Sequence, residues 1–375
     1  MTEHLMSASR ITSRRHLLLA AACATATPSL MACTAGDAEQ SAARAIRSPG
    51  APSAGAAVSQ MHELVRQAAL APSSHNTQCW RFQVAEKSIS IGPDLTRRCP
   101  AVDPDDHHLF VSLGCATENM VHAALAAGLH ADPRFDPNGD GLIAVNLEAT
   151  PKRISPLFQA ISERQCTRGD YDRQPISPAK LRQLEQAATG DGVSVRLLTA
   201  RPAIESVLEY VVAGNTVQMN DPAFVAELMT WIRFGADEAL RTGDGLFAGA
   251  SGNPALPRWL GSRMMSLFFT PKSENERYAR QIRNSAGIAV FVSERNNKAL
   301  WVEAGRCYER FALQATALGI HNAFLNQPVE VGALRPQFAS WLGIGPNERP
   351  DLVARFGRGP TMPLSMRRPV QAVLV

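Results

Sequence analysis

Hydroxyl and amide side chains are concentrated in residues 71–82, which read Ala-Pro-Ser-Ser-His-Asn-Thr-Gln-Cys-Trp-Arg-Phe. The pattern predicts the end of a helix, a turn and then the entry into a strand. Such a turn can offer several neutral hydrogen-bond donors to an anionic or heteroaromatic ligand. The alternative is a turn whose side chains only cap the backbone. The candidate ligand contacts are Ser73, Ser74, Asn76 and Gln78.

Arg164 and Arg168 form a second candidate group, with Cys166 between them and a helix predicted to begin near Ser177. Guanidinium groups bind phosphate through paired hydrogen bonds, and the N-terminus of a helix attracts anions. The spacing therefore predicts a phosphate clamp. The alternative is a solvated basic turn.

The elements that position these groups are repeated along the chain. Residues 109–130 match residues 300–321 at a constant offset of 191, through leucine, valine, glycine, glutamate, alanine and histidine positions. Each segment predicts a long helix with small residues on one face, closed by a glycine at its C-terminal end. We expect both helices to lie buried in the middle of the fold.

A shorter match joins residues 67–69 to residues 186–188, each the end of an amphipathic helix, at an offset of 119. The second half therefore carries about 72 additional residues, which we place at about 200–275. Trp231 and Arg233 lie there on a helical pattern and are candidate contacts of a lid.

The segment 242–258, rich in glycine, serine, asparagine and proline, is typical of a loop or lid. Short runs rich in β-branched residues predict strands at 88–91, 141–147, 194–198 and 287–292. These features together predict an α+β protein made by duplication.

The segment 72–80 resembles the PSSxNxQPW motif of the nitroreductase family, with Cys79 where that family usually has proline. The resemblance implies an α+β homodimer with FMN at the interface between two subunits, where this turn reaches a flavin held mainly by the partner. Residues 164–176 are similar to the family's RRSxRxF…PI opening, which binds the FMN phosphate. Gln165 and Cys166 replace an arginine and a serine of that opening.

Two later segments are also similar to the family. Residues 319–328 resemble the part that passes the isoalloxazine edge, which implies polar contacts from Asn326 and Gln327 near the reactive nitrogen. The tail resembles the basic segment that completes phosphate binding. The resemblance favours Arg367 and Arg368 there, and a solvated basic tail is the alternative.

The motifs are divided between the two halves. The first half, 58–154, has the serine turn but no arginine opening; the second half, 155–375, has the opening, but residues 189–192 replace its serine turn. This predicts a nitroreductase-like fold duplicated within one chain, an intramolecular pseudo-dimer with a single FMN site. No higher oligomer is then required. The chain resembles the Acg-type branch of FMN-binding oxidoreductases.

Residues 1–32 have the features of an export leader. Ser13-Arg14-Arg15 precedes the short apolar run 17–26, which resembles a twin-arginine leader, with an ordinary secretory leader as the alternative. Residues 30–33 resemble a lipobox, which leaves open a lipid anchor through Cys33. Residues 33–57 are typical of a flexible tether. We expect an exported protein, periplasmic or associated with the cell envelope.

Several other functions are disfavoured. A formal charge of +4 without basic clusters gives no support for nucleic-acid binding, and the seven cysteines do not form a disulfide framework. No metal site is expected: the calcium-loop-like segment that begins at Asp136 has Leu147 where a carboxylate is needed, and we place His107 and His108 at the surface. No Rossmann or hydrolase motif has a suitable context.

The main hypothesis is an FMN-dependent oxidoreductase that passes hydride from NAD(P)H through the flavin to an electrophilic small molecule, nitro- or quinone-like. The flavin does the chemistry, so no catalytic side chain is nominated. The alternative is a flavin-binding or sequestering protein whose lid closes the site. A third possibility is a relic without flavin.

Overall fold

The computed structural model describes residues 36–48 and 56–375. The predicted leader over 1–32 and the lipobox at Cys33 lie outside these ranges. The predicted tether over 33–57 is wrong for residues 36–47, which form helix α1. Glu39, Ala43 and Arg47 recur every four residues and are buried, so one face of α1 packs on the protein. The composition of this segment resembles that of a linker because its residues are mostly small and polar. The residues that become buried nevertheless recur at helical spacing.

The first half contains one four-stranded antiparallel sheet and two helices. Its strand order is β1-β2-β4-β3. Helix α3 lies against the sheet, and α2 packs on α3. The strands predicted at 88–91 and 141–147 are β2 and β4. The elements are α2 (Ala56–Ala68), β1 (Trp80–Val84), β2 (Ser88–Pro93), α3 (His107–Ala127), β3 (Leu129–Asp136) and β4 (Leu142–Ala149).

The second half repeats this arrangement. Its sheet has the order β5-β8-β10-β9, which is the first sheet's order with each strand replaced by its counterpart. The predicted α+β class and its duplication within one chain are therefore confirmed. The elements are α4 (Pro156–Ala160), α5 (Pro178–Ala188), β5 (Val193–Leu198), β8 (Gly287–Ser293), α11 (Lys298–Ala317), β9 (His321–Phe324), α12 (Gln327–Glu330), α13 (Arg335–Leu342) and β10 (Arg349–Gly357).

The repeated helices α3 and α11 pack against each other at the centre of the molecule. By length and composition α3 could span a membrane, but 78% of its apolar stretch is buried inside the protein. Both helices contribute to a continuous core that joins the two sheets. Most of α3 is apolar because it is buried between the two halves, whereas α11 also has a half-buried face with Glu303, Arg306 and Arg310.

The second half differs from the first by a large insertion. Residues 85–87 join β1 to β2, whereas residues 199–286 join the equivalent strands β5 and β8. The predicted insertion at about 200–275 falls inside this segment. It contains α6 (Arg201–Met219), α7 (Pro222–Trp231), β6 (Ile232–Arg233), α8 (Ala236–Thr242), β7 (Leu246–Phe247), α9 (Arg258–Phe268) and α10 (Pro271–Arg283).

Candidate ligand-binding site

A cavity of about 540 Å³ lies between the two halves and beneath the insertion. This volume is in the range of small-molecule and cofactor sites. The first half contributes the turn at 72–75 and one face of α3; the second half contributes Arg168 and residues 324–330. More than half of the wall comes from the insertion. The cavity is therefore assembled from both copies of the repeat.

The serine turn is held in an uncommon backbone conformation. His75, Asn76 and Gln78 have φ values of 49°, 55° and 54°, in the left-handed region that non-glycine residues seldom occupy. The hydroxyl of Ser73 accepts a hydrogen bond from the backbone N–H of Gln78 at 2.8 Å. Ser73 and Ser74 line the cavity, and their role as ligand contacts stays a prediction.

Asn76 and Gln78 belong to the same turn but are not among the residues that line the cavity. The side-chain amide of Asn76 donates to the carbonyls of Gly245 and Met366 at 3.0 and 3.2 Å. That of Gln78 donates to Gly243 at 2.9 Å. These amides join the turn to the insertion and the C-terminal tail, which corrects their assignment as ligand contacts.

Arg164 and Arg367 are also corrected, because both are buried in structural roles. Arg164 Nε lies 3.1 Å from Glu309 Oε1, and its guanidinium donates to the carbonyl of Leu70 at 2.9 Å. The guanidinium of Arg367 donates to Leu70 and Ala71 at 3.1 and 3.2 Å. These arginines hold the chain just before the serine turn. They are not part of the cavity wall.

Cys166 and Arg368 lie away from the cavity as well. Cys166 forms an isolated backbone bridge with Asn322. The Arg368 guanidinium donates to the carbonyl of Ala372, and its backbone N–H donates to Gln78 Oε1 at 2.8 Å. The predicted phosphate clamp therefore has one arginine in the cavity, Arg168, instead of several.

Arg168 is half-buried in the cavity wall, and its guanidinium forms no hydrogen bond or ion pair with any residue that the structure describes. Arg277 of α10 lines the same cavity and pairs with Glu274. Burial, and then the charge of Arg168, lower the pKa of His75 to about 4, so that imidazole is neutral. A lone guanidinium facing a cavity provides a position for an anion.

Asn326 and Gln327 line the cavity at the start of α12. Asn326 Oδ1 accepts the backbone N–H of Val353 at 2.9 Å, which leaves its amide N–H groups for other partners. Gln327 Oε1 is buried without a hydrogen-bond partner in the structure. The two residues bring unused polar groups to the side of the cavity that is formed by the second half.

Trp231 and Arg233 do not line the cavity, which corrects the predicted lid contacts. The centroid of the Trp231 ring lies 5.2 Å from Cζ of Arg97 and 5.8 Å from Cζ of Arg233. Arg233 is fixed by Asp244 at 2.6 Å. The lid surface that faces the cavity is instead apolar. The amphipathic pattern of the helices in the insertion could have indicated this surface from the sequence. Its larger members are Phe224, Leu228, Ile232, Phe234, Leu246, Leu256, Met264, Met265, Phe268 and Phe269.

The positions of α11 that correspond to the cavity-lining residues of α3 are occupied by charged residues. Ser112 and Cys115 of α3 line the cavity, and their counterparts in α11, at the offset of 191, are Glu303 and Arg306. Arg306 binds Glu303 at 2.9 Å and Glu118 at 3.0 Å. An ion-pair cluster thus stands where a second, symmetry-related cavity would need neutral residues.

His107 and His108 are buried at the start of α3, so their prediction as surface residues is wrong. His107 Nε2 lies 2.8 Å from Asp351 Oδ1. His108 lines the cavity, and its Nε2 is 3.5 Å from Glu330 Oε1. Burial raises the pKa of Glu330 to about 7. The neighbouring aspartates made this segment look exposed in the sequence. In the structure the start of α3, with both histidines and Asp103, is buried inside the protein.

His75, Cys99 and Glu227 bring possible metal-ligand atoms within 4.8 Å of one another. Glu227 accepts hydrogen bonds from the backbone N–H groups of Ala101 and Val102 with its two oxygens. Burial raises the pKa of both the Glu227 carboxyl and the Cys99 thiol. Both Glu227 oxygens are thus already used by backbone donors, and burial keeps the Cys99 thiol protonated, so the cluster is poorly suited to a cation.

Comparison with known proteins gives sequence relatives over most of the chain. No protein-family model matches it. "Putative NAD(P)H nitroreductase Rv3131" of Mycobacterium tuberculosis is 24% identical over 316 residues, covering 81% of this chain and 88% of the relative. "Putative NAD(P)H nitroreductase acg" of the same organism is 23% identical over 322 residues, covering 82% and 93%.

Solved structures are more distantly similar. A nitroreductase with bound FMN from Desulfitobacterium hafniense is 17% identical and covers 56% of this chain and 92% of its own, with a TM-score of 0.36. The nitroreductase NfnB from Mycobacterium smegmatis in complex with NADPH is 12% identical and covers 54% and 87%, with a TM-score of 0.35. The similarity to the sequence relatives extends over 81–82% of the chain, whereas the solved structures cover little more than half of it. Over about four fifths of its length, the chain is similar to these nitroreductases of the Acg type.

Proposed function

We propose that this protein is an FMN-binding oxidoreductase that accepts hydride from NAD(P)H and reduces an electrophilic small molecule of the nitro or quinone type. One observation carries the proposal: the serine turn of the first half and Arg168 of the second half line one cavity, together with Asn326 and Gln327. Motifs separated by about a hundred residues or more converge there. The sequence relatives, by their names, support the same reaction class.

The cavity wall fits a large polar heterocycle with an anionic tail. Four buried polar atoms without hydrogen-bond partners belong to its lining residues: His75 Nδ1, His108 Nδ1, Arg277 Nε and Gln327 Oε1. Buried polar groups are satisfied in the large majority of cases, so these four atoms are available to hydrogen-bond a polar ligand. The apolar lid residues would cover its flat rings.

The residues divide into three tasks in this proposal. Arg168 would neutralise the phosphate, with Arg277 as a second cation. Ser73, Ser74 and Gln327 would orient the ring system through hydrogen bonds. The apolar lid would exclude water. Bound FMN would supply the hydride chemistry itself.

A flavin-sequestering protein is the second candidate. The insertion supplies more than half of the cavity wall and closes over it. A lid in this position can retain FMN and exclude a nicotinamide. We also propose export to the periplasm or cell envelope, with a lipid anchor at Cys33, from the leader pattern. Export separates the protein from cytoplasmic NAD(P)H and thereby favours this second candidate.

The decisive experiment is an anaerobic titration of the purified full chain with NADPH, followed by flavin absorbance. Loss of the oxidised spectrum supports the oxidoreductase, whereas a stable oxidised spectrum supports sequestration. Protein without flavin, and unable to take up added FMN, would contradict both. Arg168→Gln should weaken FMN retention, and Arg182→Gln, an exposed arginine of α5, is the matched control.

A further inference from the structure

Helix α1 is joined to the lid by a small apolar cluster. Ala43 of α1 is 1% exposed, and the side chains buried with it come from the insertion and the C-terminal tail. Ala42 and Ile46, on the same side of the helix, pack against this cluster. Its other buried members are Ala236, Ala239, Phe247, Ala250 and Met366. The N-terminal helix therefore packs on the insertion.

The same helix is fastened to the body that the two halves form. Ile46 also packs against a second buried cluster, made of residues from both halves, and its carbonyl accepts a hydrogen bond from Arg66 of α2 at 2.7 Å. The guanidinium of Arg47 donates to the carbonyls of Ser162 and Ser365 at 3.3 Å each. The second cluster contains Leu70, Ala160, Ile161 and Leu313. Helix α1 therefore connects the body to the lid.

The part of the lid that contacts α1 is also part of the cavity wall. Leu246 and Ala248 line the cavity, whereas Phe247 between them belongs to the cluster that contains α1. In the same way, Phe234 lines the cavity and Ala236 lies in the cluster. Because α1 is held to the body on its other side, an outward movement of this wall requires that contacts of α1 break.

We propose that α1 is a strap that keeps the lid closed over the cavity, with Ala43 as the positioning residue that engages the lid. A segment that opens locally must break the few contacts that hold it, so loss of the strap should release the lid while the two sheets stay folded. The alternative is a helix that stabilises the whole fold without acting on the lid. The proposal goes beyond the flavin chemistry and does not depend on it.

Hydrogen exchange of the full chain, read by mass spectrometry, distinguishes a strap from a general stabiliser. In Ala43→Gln the longer polar side chain does not fit the apolar cluster, so α1 should detach. Amides of α9, which contributes no residue to that cluster, should then exchange roughly tenfold faster, because the lid opens more often. Amides of β3, an edge strand of the first sheet that contributes to neither cluster, should exchange at the wild-type rate. Ala45→Gln is the matched control, since Ala45 is an exposed alanine of the same helix.

The exchange of α1 itself shows whether the strap has been released. Fast exchange of residues 36–47 together with wild-type exchange of α9 would overturn the proposal, since the lid would then stay closed without α1. Slow exchange of α1 in Ala43→Gln would overturn it as well, because Ala43 would not be enclosed as the cluster requires. Equal acceleration of α9 and β3 would identify α1 as a general stabiliser instead.

Ligand release gives a second measurement, which rests on the proposed function. Protein loaded with FMN should lose the flavin roughly tenfold faster on dilution when it carries Ala43→Gln, whereas Ala45→Gln should match the wild type. A wild-type protein that takes up no FMN would contradict the proposed function, and hydrogen exchange would still test the strap. Equal release from Ala43→Gln and the wild type would show that closure of the lid does not depend on α1.

Discussion

Gly114 of α3 and Gly305 of α11 make equivalent contacts, each with a valine carbonyl of the other helix. A Cβ atom at Gly114 would lie 2.0 Å from the carbonyl oxygen of Val302, and one at Gly305 would lie 2.0 Å from that of Val111. Both the glycines and the valines are related by the offset of 191. The two halves therefore meet about a pseudo-twofold axis, at a separation that only glycine permits.

The first prediction follows from this contact. Gly114→Ala and Gly305→Ala should each lower the free energy of unfolding by at least about 3 kcal/mol, because backbone atoms of a packed core must move. The two losses should be similar, since the contacts are equivalent. Chemical denaturation measures both values.

Gly332→Ala is the control, since a Cβ atom there would have no neighbour within 4 Å. Its effect should stay within about 0.5 kcal/mol. Full stability in either core variant would show that the helices do not approach this closely.

The second prediction separates structural arginines from the arginine of the cavity. Arg164→Met should cost about 3–5 kcal/mol, because it leaves the buried Glu309 without its partner. Arg168→Met should change stability little and weaken retention of FMN. The double variant Arg164→Met/Glu309→Leu should recover most of the lost stability. If Arg164→Met is as stable as the wild type, the ion pair is not formed.

The sequence predicted the elements whose residue patterns are local. The helices α3 and α11 were visible because small and apolar residues recur at helical spacing in both. Strand β10 was missed: it is buried throughout, yet contains Arg349, Asp351 and Arg355. Asp351 and Arg355 have distant partners, His107 and the carbonyl of Gly169, which no local pattern reveals.

The same limit applies to the candidate site. Ser73, Ser74, Arg168, Asn326 and Gln327 reach the cavity as the motifs suggest. The spacing of the motif does not show that Arg164, four residues before Arg168, is buried and paired with Glu309. Arg277 lies more than a hundred residues further along the chain and reaches the cavity only through the fold of the insertion, so no motif contains it.

The third prediction concerns the pH dependence of stability. Burial raises the pKa of Glu330 from 4.5 to about 7, so the folded protein holds this proton more tightly than the unfolded chain. The stability due to this group is present below the unfolded pKa and is lost as the pH rises through about 7. Glu330→Gln removes that loss and can still accept the hydrogen bond from Gln218, which is 2.7 Å away.

The stability of Glu330→Gln relative to wild type should therefore increase between about pH 5 and about pH 8, by about 2–3 kcal/mol at most. Thermal unfolding at the two pH values measures the difference. Titrating groups that do not interact with Glu330 cancel, whereas Asp103 and Glu227 interact with it electrostatically and contribute to the difference. The exposed Glu86→Gln is the control. A difference that is independent of pH would contradict the raised pKa.

The fourth prediction tests how the lid is fastened to the serine turn. Asn76→Ala removes the donor to two carbonyls, Gly245 in the insertion and Met366 in the tail. Leaving buried carbonyls unpaired costs about 1–3 kcal/mol, and the lid segment should open more often by roughly tenfold. Trypsin cleavage at the exposed Arg241 reports this opening without any assay of activity. The variant Asn138→Ala, in an exposed turn, should be cleaved at the wild-type rate.

The Asn76→Ala variant keeps one link to the lid, because Gly245 also donates its N–H to the carbonyl of residue 76 at 3.1 Å. Cleavage at Arg241 should therefore accelerate while the rest of the chain stays resistant. Equal cleavage of Asn76→Ala and wild type would mean that the lid is held by its apolar packing alone.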